Sequence, residues 1–279
     1  MATALLALYC AAIFIASMAG AMVPRRMKMT HTRMQLVMSL VAGLMLGVAL
    51  FHLIPHSATE AGSHIDFTMR WVMAGLVFML MLLRLFHFHQ HDFGDLEAGC
   101  EHGSAEAHDH AQAHDHAHAS PPANASSWFG LAFGLAVHTI VDGIALGAVM
   151  QSGEAQASLL GVGVFMAIFL HKPLDTLALE TVMTAAGTAV SVRRIATTVF
   201  SLLCPLAAVL FFLRADVIAG DSLLLPGALA FSAGAFICIA LADLLPEVQF
   251  HSHDRGKLTV LFIVGIALAM TIGIFEPAH

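Results

Sequence analysis

The sequence predicts an all-α integral membrane protein of eight transmembrane helices with a 3+2+3 inverted repeat and both termini extracytoplasmic. Three observations predict it. Of 279 residues, 58% are apolar and only 11% are Asp, Glu, Lys or Arg, against roughly a quarter charged in a soluble domain. Apolar runs of about 20 residues recur along the chain, enough for a helix to cross about 30 Å of hydrocarbon. Two of those runs also resemble each other. The composition argues against an ordinary soluble enzyme, and the formal charge of -7 leaves no basic footprint for nucleic acid.

The spans fall at roughly 3–23, 34–55, 69–88, 128–150, 158–185, 195–214, 223–247 and 258–276. The first lacks a basic leading segment and reads as a retained helix, not a cleaved signal. Orientation follows from Lys and Arg in the short connections. Arg25, Arg26, Lys28, Arg33, Arg84, Arg193, Arg194, Arg255 and Lys257 share one side if every helix crosses once. Only Arg70 and Arg214 fall on the other, with Asp66, Glu154, Asp216 and Asp221. The basic side is therefore expected to be cytoplasmic. Cys10, Cys100, Cys204 and Cys238 form no CxxC pair and imply neither a disulfide framework nor a cysteine zinc site.

The chain divides into helices one to three (1–86), a polar connection (87–127), helices four and five (128–185) and helices six to eight (186–279). The connection is too polar to bury a core and is expected to be a disordered cytoplasmic loop. It holds half of the 18 histidines, among them His102, His108, His110, His114, His116 and His118, interleaved with Asp and Glu. Neutral imidazoles and carboxylates at close spacing bind borderline divalent metals weakly and reversibly, which suits metal buffering.

Span two reads AGLMLGVALFHLIPHS from Ala42, and span seven reads AGAFICIALADLLPEV from Ala233. Aligned at Ala-Gly, they share Ala-Leu, a later Leu and a Pro (Pro55, Pro246). His52 falls opposite Asp243, and His56 opposite Glu247. An odd number of crossings separates the two, so they run in opposite directions, as in the inverted repeats of alternating-access transporters. In this topology His52 and His56 lie toward the outside, and Asp243 and Glu247 toward the cytoplasm.

Spans four and five hold the residues expected to carry the chemistry. Span four contains His138-Thr139-Ile-Val-Asp142-Gly, and span five His171-Lys172-Pro173-Leu-Asp175. Each sets a histidine and an aspartate at i and i+4, on one helix face about 6 Å apart along the axis. A short connection forces the two helices together, so two imidazoles and two carboxylates can converge on one ion. Ionisable groups at membrane depth are costly and normally mark an ion or substrate path. Gly130, Gly134, Gly143 and Gly147 provide small residues for close helix approach. Pro173 frees a carbonyl one turn earlier, near Phe169. Met45 of span two offers a soft sulfur contact. Glu180, Asp243, Glu247, His251 and His253 lie toward the cytoplasmic ends and form a candidate relay to the His-rich loop.

Taken together, these features resemble the ZIP (Zrt/Irt-like) family of divalent metal transporters. The likeness covers nearly the whole chain: eight spans, the His-rich loop between three and four, and an HNxxD/EG-like motif at His138–Gly143. It extends to an H/Q-x-x-P-E/D-like motif at His171–Asp175 and a span seven similar to the family's AGxFxYVAxxDxLPE pattern. The resemblance implies a homodimer in the cell membrane that moves Zn2+ (or Fe2+, Mn2+, Co2+ or Cd2+) into the cytoplasm. It also implies an elevator-like motion of spans 1, 4, 5 and 6 against 2, 3, 7 and 8. The sequence departs from the family's two-metal pattern. Thr139 replaces an Asn, Lys172 stands where a further ligand is common, Pro173 comes one residue early, and span six has no acid. A single transported metal is therefore expected, with the Lys172 ammonium where a second cation would sit. A metal exporter of another family and a membrane-embedded zinc-dependent enzyme are the alternatives; the ligand pairs on spans four and five argue against the first.

Overall fold

The computed structural model describes residues 2–26, 31–62, 64–86, 127–151, 160–218, 223–244 and 255–274. Among them there is no strand, and eight helices are long and apolar enough to cross a membrane. They are α1 (Ala2–Arg26), α2 (His31–Glu60), α3 (Ile65–Phe86), α4 (Ser127–Gln151), α5 (Leu160–Ala185), α6 (Val190–Ile218), α7 (Leu224–Leu244) and α8 (Arg255–Ile274). Even α8, with 20 residues, rises about 30 Å, the thickness of a hydrocarbon core. The helices coincide with the eight predicted spans and run a few residues past several of them. Helix α6 begins at Val190 and α2 continues to Glu60. Apolar patterning marks where hydrocarbon ends, whereas the helix persists into the polar interface. The loop histidines His102, His108, His110, His114, His116 and His118 lie outside the described residues, as do Glu247, His251 and His253.

The helices pair in a pattern that maps onto itself. Helix α2 packs most extensively on α8, α3 on α7, α4 on α6 and α1 on α5. Exchanging helices one to three with six to eight, and four with five, turns each pairing into another, as a 3+2+3 repeat requires. The two repeated segments agree in detail as well. Within α2 the residues Ala49–Leu53 form a π-helical turn, and within α7 the residues Ile239–Leu244 form another. In the alignment from Ala42 and Ala233 these turns coincide. Each is followed two residues later in the sequence by a proline, Pro55 or Pro246. A proline ring crowds the carbonyl four residues before it, and widening the turn relieves that crowding.

Glycines set the closest crossings. A Cβ on Gly43 of α2 would run into the Phe262 backbone of α8, and one on Gly234 of α7 into the Val72 backbone of α3. The aligned glycines of the two repeats thus each meet a neighbouring helix backbone to backbone. Gly143 and Gly147 of α4 do the same against Cys204 and Ala208 of α6. They tighten the α4–α6 contact.

The core lies where α1, α2, α4, α5 and α7 meet, around Ile13, Met45, Leu146, Ile168 and Phe236. A smaller cluster of Leu135, Leu179, Met183 and Phe200 joins α4, α5 and α6. Helices α3 and α8 are the least buried. Their exposed side chains, such as Met73, Leu85, Val260 and Ile263, are apolar, as a surface facing lipid requires.

Candidate metal site

Helices α4 and α5 bring the predicted quartet together. His138 and Asp142 are buried on α4, His171 is buried on α5, and the Asp175 side chain is 15% exposed. One ligand atom from each lies within 4.8 Å of the others. The Asp142 Oδ2 atom stands 3.4 Å from His138 Nε2 and 3.2 Å from His171 Nε2. For Asp175 Oδ2 the corresponding distances are 3.5 and 3.9 Å. A tetrahedral zinc with bonds of about 2.05 Å separates its ligand atoms by about 3.3 Å. Three of the four His–Asp separations are within a few tenths of an ångström of that edge. Iron, manganese, cobalt and cadmium accept the same donors, so the ligand set by itself does not select among them.

The hydrogen-bond pattern also suits a cation. His171 Nδ1 lies 2.7 Å from the Ala167 carbonyl, one turn back on its own helix. A carbonyl only accepts, so Nδ1 carries a proton there, while Nε2 stands at hydrogen-bond distance, 3.2 Å, from Asp142 Oδ2; a neutral ring protonated at Nδ1 would turn its Nε2 lone pair to a cation shared with that carboxylate. Both ring nitrogens of His138 and the Oδ1 atom of Asp142 are buried with no hydrogen-bond partner among the described residues. Buried polar atoms are nearly always satisfied, and a shared cation is the partner that fits lone pairs and carboxylate oxygens together.

Lys172 closes one side of the cluster. Its Nζ lies 2.5 Å from Asp142 Oδ2 and 2.9 Å from Asp175 Oδ2, and donates to Thr139 Oγ1 at 3.1 Å. Its three protons thus have three partners on two helices, so it does more than pair with Asp175 on its own helix. The Phe200 ring of α6 lies 5.9 Å from the ammonium, within cation–π range. Pro173 sits inside α5, which continues through it from Leu160 to Ala185.

The remaining predicted residues are placed differently. Met45 is fully buried in the main apolar cluster. His52 and His56 are buried in α2, and His52 Nε2 lies 2.8 Å from the Ala269 carbonyl of α8. Glu180 is buried toward the end of α5 and pairs with Arg193 of α6 at 3.3 Å. Asp243 lies within the π-helical turn of α7. Sequence reasoning missed Phe200, Arg193 as a partner, and a group of buried hydroxyls in which Ser17 meets both Thr176 and Ser201. Single serines in apolar helices carry no periodicity to reveal them.

The family model described as ZIP Zinc transporter matches residues 3–273. This chain belongs to the ZIP zinc transporter family. Zinc transporter ZIP9-A of Xenopus laevis is 26% identical over 309 residues, covering 95% of this chain and 93% of that protein. Zinc transporter ZIP9 of Xenopus tropicalis is 26% identical over 283 residues, covering 87% and 85%. Zinc transporter ZIP9-B of Xenopus laevis is 31% identical over 190 residues, covering 66% of this chain and 54% of that relative. These relatives are named as transporters and not as enzymes. ZIP membership together with eight membrane-length helices makes this a multi-pass zinc transporter, and sets aside both the enzyme and the exporter of another family.

Proposed function

We propose that the protein imports Zn2+ into the cytoplasm one ion at a time, held by His138, Asp142, His171 and Asp175. The observation that carries this reading is the buried quartet, whose His–Asp separations approach the edges of a zinc tetrahedron. Fe2+, Mn2+, Co2+ or Cd2+ are the other candidate substrates. Met45 is a candidate for a transient sulfur contact, and Lys172, held by Thr139, takes the place of a second cation.

An elevator motion is favoured by how the helices associate. Helices α1, α4, α5 and α6 pack mainly among themselves, as do α2, α3, α7 and α8. Backbone-to-backbone glycine contacts, such as Gly43 and Gly234, occur within a group. Between groups, a Cβ on Gly163 of α5 would have side-chain atoms of Ile272, Val48 and His52 as its nearest neighbours, at ordinary contact distance. Interlocked groups joined by a smoother interface can slide as bodies.

Inward transport and a homodimer in the cell membrane rest on the family resemblance. His52 and His56 are proposed to flank entry from outside. Glu180, Asp243, Glu247, His251 and His253 would receive the ion on the cytoplasmic side. The loop histidines His102, His108, His110, His114, His116 and His118 would buffer it there. The test is zinc flux into proteoliposomes of purified protein with an entrapped fluorescent zinc indicator, wild type beside His171→Ala. Wild-type flux that is lost in the variant is expected. A wild type that retains zinc tightly in detergent but gives no flux would instead point to a sensor.

A further inference from the structure

Helix α1 contributes no ligand, yet it lies against the turn of α5 that carries Lys172 and Asp175. A Cβ on Gly20 of α1 would coincide with the Pro173 backbone, so the two helices touch there main chain to main chain. One turn earlier on α1, Ser17 Oγ lies 2.6 Å from Thr176 Oγ1 and 2.8 Å from Ser201 Oγ of α6. All three hydroxyls are buried. Thr176 follows Asp175 directly, and its hydroxyl also donates to the Lys172 carbonyl at 3.0 Å.

This turn needs outside support. Pro173 donates no N–H, so α5 lacks one rung of its ladder beside the ligands. The ligand turn is therefore held from α1 by a backbone contact at Pro173 and a hydroxyl contact at Thr176. Thr176 and Ser201 direct their protons to the carbonyls of Lys172 and Thr197, so both stand as acceptors around the single proton of Ser17. That shared bonding ties α1, α5 and α6 together at the level of the site.

We infer that Ser17 is a positioning residue for metal binding, acting through Thr176 to hold Lys172 and Asp175 in register with His138 and Asp142 on α4. The inference rests on the proposed His/Asp site. Its role is geometric: losing the hydroxyl leaves all four ligands present but lets the α5 pair drift. Partners that orient metal ligands are worth about 10- to 100-fold in affinity when removed, and the lower end is expected for a group one step further out.

The test uses the purified full-length protein titrated with Co2+, whose visible absorption reports both affinity and tetrahedral geometry, with thermal unfolding followed in parallel. Ser17→Ala and Thr176→Val, the latter keeping side-chain shape, are each expected to weaken Co2+ binding about tenfold and to alter the absorption band. They should raise the transport KM for zinc more than they lower kcat. Thr176→Ser, which keeps the hydroxyl, is expected to restore the band. If Ser17→Ala does not fold, the Thr176 pair decides alone. Wild-type affinity and band in both hydroxyl-less variants, with only a lower melting temperature, would reduce Ser17 to a packing role and overturn the inference. A wild type that binds no Co2+ would overturn the proposed site itself, and the inference with it.

Discussion

Lys172 on α5 places its ammonium 2.5 Å from Oδ2 of Asp142 on α4, the same oxygen that faces both imidazoles. The protein's own cation and the proposed substrate therefore compete for one carboxylate atom. With neutral imidazoles, two carboxylates and one ammonium give the empty site a formal charge of minus one. A divalent ion makes it plus one. Without the lysine the two states would carry minus two and zero. The cost of holding charge in a low dielectric grows with its square, so in the proposed transport cycle Lys172 would even out the loaded and empty crossings.

Replacing Lys172 by Met is accordingly expected to burden only the empty carrier. Net zinc uptake should fall severalfold, whereas exchange of radioactive for unlabelled zinc, which never requires an empty crossing, should persist. Equal losses in both assays would show that Lys172 serves the loaded site or the fold, and not the return step.

Removing a ligand should act on both assays. Asp142→Asn keeps the shape but deprives the quartet of its most central charge, flanked by His138, His171 and Lys172. Zinc affinity measured by competition with a chromophoric chelator is expected to fall at least 100-fold, since even supporting partners of ligands are worth about 10- to 100-fold. An affinity within threefold of wild type would remove Asp142 from the site.

The quartet was legible in the sequence because helical periodicity converts spacing into direction: His138 and Asp142, like His171 and Asp175, share a face by being four apart. The eight helices were legible because hydrocarbon thickness fixes their length. Contacts across helices were not. Nothing in the chain near Lys172 indicates that it reaches Asp142 of α4 as well as Asp175 beside it. Likewise Gly143 and Gly147 announce a close approach without naming the partner, which is α6 and not α5. The two π-helical turns were also hidden, although Pro55 and Pro246 mark where they end.

The ion pair between Glu180 and Arg193 ties α5 to α6 beyond the small apolar cluster of Leu179, Met183 and Phe200. Removing one member of a buried pair takes a counter-charge from the other, at about 3–5 kcal/mol; with the Arg193 side chain partly exposed, the lower end applies. Arg193→Ala, which leaves the deeply buried Glu180 carboxylate without this counter-charge, is therefore expected to lower the melting temperature more than Glu180→Gln, which leaves only the partly exposed Arg193 guanidinium. The double variant should be more stable than Arg193→Ala alone. Strictly additive effects would indicate two independent surface charges. If Glu180 also receives zinc during release, Glu180→Gln should slow uptake with the affinity of the quartet unchanged.

Sliding of the two helix groups makes the sharpest mechanical prediction. Gly163 of α5 and Ile272 of α8 face each other across the proposed interface, and a Cβ at Gly163 would lie 3.7 Å from the Ile272 side chain. That approach is to Ile272 Cγ2, a γ position that a cysteine sulfur would occupy, so cysteines at the two positions come close to disulfide geometry. The described native cysteines Cys10, Cys204 and Cys238 are buried and form no disulfide with one another, so with Cys100 replaced by serine mild oxidation should act chiefly on the introduced pair. Oxidising Gly163→Cys/Ile272→Cys is expected to abolish zinc flux, and reductant to restore it. If the α5–α8 bridge forms and transport continues, the groups do not slide at that interface, and the substrate must cross by a local rearrangement of α4 and α5.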